Sequence, residues 1–261
     1  MKLGIAQWCL DKSDVESLYR ASEFNLSLIH IDAGCLGEKN CLENESLRKE
    51  YCRAINLTGV KVGAIALNQL NDLAIVGKNK DSSFRENFYL LKIAIDAAME
   101  FKTPLVFLPS FGESEIHDSS ELDHTAQFIR LACDYAIPKS IQIASENSLD
   151  LSHNISLHEK VNKKNFCILM DTQNPTLWNH SPSILIRGLW NIMSKQIHFK
   201  DGLNGIMANA LLGRGDAEII NTVKTLKSLD FNGCIILENE YYENFENSLL
   251  QDISTVHELF S

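Results

Sequence analysis

The chain of 261 residues has only 5 prolines and no Pro-rich or Gly/Ser-rich stretch, so nothing marks a linker. One domain over residues 1–261 is expected. No apolar run approaches the roughly 18 residues that a membrane span needs. The start, MKLGIAQWCL, is interrupted at Gln7 and followed by Asp11 and Asp14, which does not read as a signal peptide. A cytoplasmic protein without a membrane partner is expected. Positive charge is also short: 24 Lys and Arg stand against 34 Asp and Glu, a formal net charge of −10. That balance argues against a nucleic-acid surface and against anionic membranes. The seven cysteines are odd in number and include no CxxC pair, so they read as reduced thiols. Cys9, Cys167 and Cys234 fall in or beside apolar strands, as small buried side chains do.

What is present is an alternation of short apolar runs with longer amphipathic stretches. Strands are expected at 3–8, 28–32, 60–67, 105–108, 141–145, 166–170, 196–199 and 234–237. Helices are expected at 13–25, 45–57, 83–101, 121–135, 153–161, 182–190, 216–229 and 244–259. The strands are apolar throughout, as in a parallel sheet buried on both faces. Eight β-then-α units, in a length near the roughly 250 residues of such folds, predict an α/β protein closed as a (β/α)₈ TIM barrel. The polar connection from Asn68 to Ser82 is the longest and is a candidate lid.

Active sites of such barrels lie at the C-terminal ends of the strands. The residue ending each apolar run therefore carries the information. The fifth strand ends at Glu146, the sixth at Asp171, the seventh contains His198, and the eighth ends at Glu238. Taken singly, each has a plain structural role: a solvated loop Glu, an Asx turn at Asp171, a packed core histidine. Together, on four consecutive strands, they point to a metal site. Two like charges at ~4 Å cost on the order of 4 kcal/mol at an effective dielectric of about 20, and a divalent cation removes that cost. Oxygen-rich ligands with one nitrogen suit Mn²⁺, Mg²⁺ or Co²⁺, with Zn²⁺ as the alternative.

Glu146-Asn147, Met170-Asp171-Thr172, His198-Phe199-Lys200-Asp201, Leu212-Gly213-Arg214-Gly215-Asp216 and Leu237-Glu238-Asn239 together resemble the xylose isomerase-like barrels. These are the sugar isomerase and epimerase branch related to the apurinic-site endonucleases. The resemblance runs across almost the whole chain. It implies one divalent cation held by Glu146, Asp171, His198 and Glu238, with Glu146 and Glu238 as the catalytic acid/base pair. It implies isomerisation or epimerisation of a ketose or keto-polyol by proton transfer through a metal-stabilised enediolate. It also carries the expectation of a small carbohydrate substrate and of a homo-oligomer, which is common in the family.

Four further residues are candidates for substrate contact. Lys200 shares the face of His198 by period-2 alternation, and a buried ion pair is its alternative role. Asn174 follows Asp171 by three residues. Trp8 ends the first strand as a wall or a packing residue. Arg214 precedes the seventh helix, whose N-terminus favours anions, although a solvated loop Arg is the plainer reading. The role of Asp32, at the end of the second strand, is open.

The sequence departs from the family's epimerases at Asn174, where they often have His, at Asn204 in place of Arg, and at Ser152 in place of Glu. These positions bear on substrate, so an inosose-type dehydratase on the same metal site is the runner-up. A non-catalytic sugar-binding barrel is the alternative from another class. The endonuclease branch has additional His at the ends of strands three and four. Here those ends read Ala66-Leu67-Asn68 and Leu108-Pro109-Ser110, so no nucleic acid is expected.

Overall fold

A computed structural model describes residues 1–75, 80–242 and 244–261. Eight parallel strands close into a barrel in sequence order. They are β1 (Lys2–Ala6), β2 (Leu28–Asp32), β3 (Lys61–Ala66), β4 (Leu105–Ser110), β5 (Gln142–Asn147), β6 (Phe166–Asp171), β7 (Met193–Phe199) and β8 (Cys234–Leu237). β1 pairs with both β2 and β8, which completes the ring. The described helices are α1 (Glu16–Glu23), α2 (Glu45–Thr58), α3 (Lys80–Phe101), α4 (Ser119–Ala136), α5 (Leu151–Val161), α6 (Asn174–Leu177), α7 (Pro182–Leu189), α8 (Ile219–Ser228) and α9 (Phe245–Phe260). The expected TIM barrel is the fold of the chain.

Where the boundaries differ from expectation, side chains have captured the backbone. β1 stops at Ala6 and residues Gln7–Cys9 form a 3₁₀ turn. The buried Gln7 amide donates to Asp14 O at 2.9 Å, Ser17 Oγ at 3.1 Å and Tyr51 Oη at 2.8 Å. With Gln7 so anchored, Trp8 leaves the strand and stands at the mouth. α5 begins earlier than expected, at Leu151, because Asp150 caps it by accepting the His153 N–H. α7 starts at Pro182, where a missing N–H does no harm. The connection expected to form a lid, 68–82, opens with a 3₁₀ turn at Asn68–Asn71. Its residues 76–79 lie outside the described residues.

Most of the core lies between strands and helices. Inside the barrel, one side is filled by Ala64, Ala66, Leu105, Phe107, Ala144, Cys167 and Leu169. The other side is polar and holds the buried His30, Gln196 and His198. Gly63 leaves them room: a Cβ there would lie 2.6 Å from Gln196 Oε1. All seven cysteines are free. Among the described residues, no helix is long and apolar enough to cross a membrane.

Candidate active site and metal centre

The strand ladders bring Glu146, Asp171, His198 and Glu238 together. Asp171 lies opposite His198 and His198 opposite Ile236, so Glu238 follows on the same side two residues on. Past the strand ends the ladder is continued by specific bonds. Glu238 N–H donates to Phe199 O at 2.9 Å. The Thr172 hydroxyl donates to Lys200 O at 2.7 Å and accepts Lys200 N–H at 2.9 Å. One ligand atom from each of the four side chains lies within 4.8 Å of the others, and all four residues are buried.

His198 is at the centre. Its Nδ1 is 3.0 Å from both Glu146 Oε1 and Glu238 Oε2. Burial would lower its pKa, but the two carboxylates outweigh burial and raise it to about 10. Lys200 Nζ donates to Glu238 Oε2 at 2.9 Å and lies 3.2 Å from Asp171 Oδ2. Its pKa is raised as well, because these carboxylates overcome its burial. The Trp8 indole N–H donates to the other Glu238 oxygen at 3.0 Å. Burial works against Glu238's charge, yet His198 and Lys200 hold its pKa well below the usual range. Asp171 shows the strain of the arrangement. Burial pushes it up to about 7, with Glu238 and Glu146 adding repulsion against the pull of Lys200. Keeping all three carboxylates ionised therefore calls for more positive charge than Lys200 and a protonated His198 together provide.

The residues fit a divalent cation. Asp171 Oδ1 accepts the N–H groups of Gln173 and Asn174 at 2.7 and 2.6 Å, making an Asx turn that starts α6. Its Oδ2 is buried, with the Lys200 ammonium 3.2 Å away but no aligned hydrogen bond among the described residues. Such an oxygen, beside two more carboxylates and one imidazole nitrogen, is the donor chemistry of Mn²⁺, Mg²⁺ or Zn²⁺ sites. With a neutral imidazole, three carboxylates and one ammonium sum to a charge of −2, which a dication cancels.

Of the substrate-contact candidates, three stand at the cluster. Lys200 and Trp8 bond to Glu238 as described. Asn174 places Nδ2 at 3.5 Å from Glu146 Oε1, and its buried Oδ1 has no partner. Arg214 does not join them. It is exposed in the turn before α8, where its backbone N–H donates to Leu211 O at 3.0 Å, and its guanidinium makes no hydrogen bond or ion pair among the described residues. Asp32 secures the mouth: its Oδ1 accepts the Asn68 N–H at 3.2 Å. A cavity of about 350 Å³ opens over the Glu238 side, lined by Trp8, Lys200, Met207, Ala208, Glu238 and Tyr241 among others. That is within the roughly 300–1,000 Å³ of small-molecule sites.

Asp201 explains the motif that follows His198. Its carboxylate accepts the backbone N–H groups of Gly213 (2.8 Å), Gly215 (2.9 Å) and Ala217 (3.0 Å). A Cβ on Gly215 would lie 2.2 Å from Asp201 Oδ1, so only glycine admits this approach. Asp201 N–H in turn donates to Asn239 Oδ1 at 2.8 Å, tying β7 to the end of β8.

Sequence reasoning passed over His30, which touches the site, and Gln196, which stands behind it. His30 Nδ1 is 3.0 Å from His198 Nε2, and His30 Nε2 is 2.9 Å from Gln196 Oε1. The signal was available for Gln196, which alternates onto the face of His198 and Lys200. For His30 the signal was weaker: one histidine inside the apolar strand Leu28–Asp32.

Fold and site together define a (β/α)₈ barrel whose mouth carries a buried acidic cluster around one imidazole. The family model described as "Xylose isomerase-like TIM barrel" matches residues 38–257, and the chain belongs to that family. It is 28% identical over 253 residues to a 2-epi-5-epi-valiolone 7-phosphate 2-epimerase of Actinoplanes sp. (strain ATCC 31044 / CBS 674.73 / SE50/110), covering 97% of this chain and 92% of that one. Among solved structures, a xylose isomerase domain protein from Planctomyces limnophilus superposes with a TM-score of 0.81 at 16% identity, covering 99% of this chain and 96% of that one. D-psicose 3-epimerase from Clostridium cellulolyticum H10, solved with D-tagatose, gives a TM-score of 0.79 at 11% identity over 100% of both chains. At these identities the two structures speak to the fold.

Proposed function

We propose that the chain is a divalent-cation-dependent epimerase or isomerase of a ketose or keto-polyol. The observation that carries this reading is the pair of carboxylates, Glu146 and Glu238, meeting one buried imidazole nitrogen at 3.0 Å each. Glu146, Asp171, His198 and Glu238 would hold the cation, with Mn²⁺, Mg²⁺ or Co²⁺ preferred by the oxygen-rich set and Zn²⁺ as the alternative. Such an ion supplies Lewis-acid polarisation of a carbonyl, which acidifies the neighbouring C–H. One glutamate would take that proton; the other would return one to the opposite face of the same carbon, inverting it, or a proton would be returned to the former carbonyl carbon while the neighbouring hydroxyl loses its own, moving the carbonyl. Lys200 and Trp8 each grip one oxygen of Glu238 and fix the direction of its free lone pairs. Asn174 offers an unpaired amide oxygen to a substrate hydroxyl, and Trp8 forms a wall of the cavity. The relative from Actinoplanes, an epimerase of a valiolone phosphate by its name, supports a sugar-like carbonyl substrate.

The test is a panel of ketoses, keto-acids and inososes incubated with Mn²⁺-loaded protein in D₂O. Deuterium appearing at one carbon of an epimer or isomer is the expected result. Conversion to a dehydrated product would reassign the reaction to a dehydratase. Cation binding with no exchange on any substrate would favour a sugar-binding barrel.

A further inference from the structure

We propose that His30 and Gln196 form a positioning relay that turns the Nδ1 lone pair of His198 toward the cation site, anchored at the backbone carbonyl of Gly63. The relay deepens the reading of the metal centre given above and rests on it.

The direction of each hydrogen bond follows from the anchored end. The β2–β3 register pairs Ile29 with Val62 and His30 with Ala64, so Gly63 is the extra residue of an irregularity. Its carbonyl is 2.8 Å from Gln196 Nε2. A carbonyl only accepts, so the Gln196 amide must present N–H to Gly63, and the flipped amide would set two acceptors against each other. Gln196 Oε1 therefore faces His30 Nε2, at 2.9 Å, and His30 must donate from Nε2. Among the described residues the ring contacts no carboxylate that would support a second proton, so His30 Nδ1 carries a lone pair. His198 Nε2, at 3.0 Å from that lone pair, must donate. That leaves the lone pair of a neutral His198 on Nδ1, the atom facing Glu146 and Glu238. Every donor and acceptor along the line is matched, and Phe107, 5.7 Å from the His30 ring and 5.4 Å from the His198 ring, seals it from the apolar interior. Metal-ligating histidines are generally fixed in tautomer by a partner on the other nitrogen, usually a carboxylate or carbonyl. Here a second imidazole and an amide extend that support to a strand on the far side of the barrel.

Two variants and one spectrum test the relay. His30→Leu removes the acceptor, whereas His30→Asn keeps an oxygen near the place of Nδ1. Affinity for Mn²⁺ is read by the paramagnetic resonance of free Mn²⁺, with circular dichroism as the control for folding. His30→Leu should lose about 10–100-fold in affinity, and His30→Asn should recover most of it. Equal loss in both variants, or wild-type affinity in folded His30→Leu, overturns the relay and leaves the metal centre standing. If wild-type protein itself binds no cation, the metal reading fails and takes the relay's purpose with it. Independently of any variant, long-range ¹H–¹⁵N spectra of histidine-labelled wild-type protein should show His30 protonated at Nε2 alone. A proton on its Nδ1 refutes the assignment.

Discussion

Replacing Lys200 with methionine isolates the charge balance of the site. The two side chains are similar in volume, so packing changes little. Lys200 Nζ lies 2.9 Å from Glu238 and 3.2 Å from Asp171, buried from solvent. At ~3 Å and an effective dielectric of about 20, each pair is worth on the order of 5 kcal/mol before desolvation. Removing the ammonium also removes its own desolvation cost, so the net loss should be about 3–5 kcal/mol, as for other broken buried pairs. The same change takes a positive charge away from the cation's neighbourhood. K200M should therefore bind Mn²⁺ more tightly than wild type, by about tenfold or more, which is about 1.4 kcal/mol. Urea denaturation with excess chelator and again with saturating Mn²⁺ reads both effects. The stability gap should be wide under chelator and narrower with Mn²⁺. A gap below about 1 kcal/mol under chelator, or one that widens with Mn²⁺, would refute the assignment of Lys200 as the counter-ion of this cluster.

Other expectations follow from the same geometry. Glu146→Gln and Glu238→Gln should each lower turnover by about 10²–10⁴-fold, the usual worth of a general acid or base. Their circular dichroism should match wild type; near-normal rates on the true substrate would remove these two residues from proton transfer. Metal affinity should rise with pH. The raised pKa values of His198, to about 10, and Asp171, to about 7, mean that both hold protons in the metal-free fold. His198's contribution to metal-free stability is full below its ordinary value and fades as pH climbs through about 10. The contribution of Asp171's proton fades through about 7. Cation binding displaces these protons, so the gain in Tm from Mn²⁺ should be larger at pH 8 than at pH 6. A flat or falling gain would count against the ligand set. Gly215→Ala drives a Cβ against Asp201 and Gly202 O and should cost about 1–3 kcal/mol in chemical denaturation. An unchanged midpoint would mean that the 213–217 turn is not held as described.

The parts that sequence conveys well are those fixed by periodicity. Apolar runs of strand length gave all eight strands, and the residue ending each run gave the cluster. Alternation along β7 put Lys200 on the face of His198, where it is found. Boundaries were less legible, because they depend on side chains that arrive from far along the chain. α8 was expected from Asp216 and starts at Ile219, since Asp201 takes the N–H groups of Gly215 and Ala217 and Glu218 turns at a φ of 51°. α1 was expected from Ser13 and starts at Glu16, with Asp14 at a φ of 48° and its carbonyl bonded by Gln7. His30 illustrates a different limit. A histidine within an apolar strand has the same local pattern whether it packs or supports a ligand, and only the barrel's closure sets it against His198, 168 residues away. Arg214 had two readings, an anion contact at its helix and a solvated loop residue, and the chain turns it to solvent as in the plainer one.

The most direct test is anomalous diffraction from crystals of the protein grown with Mn²⁺. A single strong peak within bonding distance of Glu146, Asp171, His198 Nδ1 and Glu238 is the predicted result. No peak at that position, or one bound through His198 Nε2, would contradict the account.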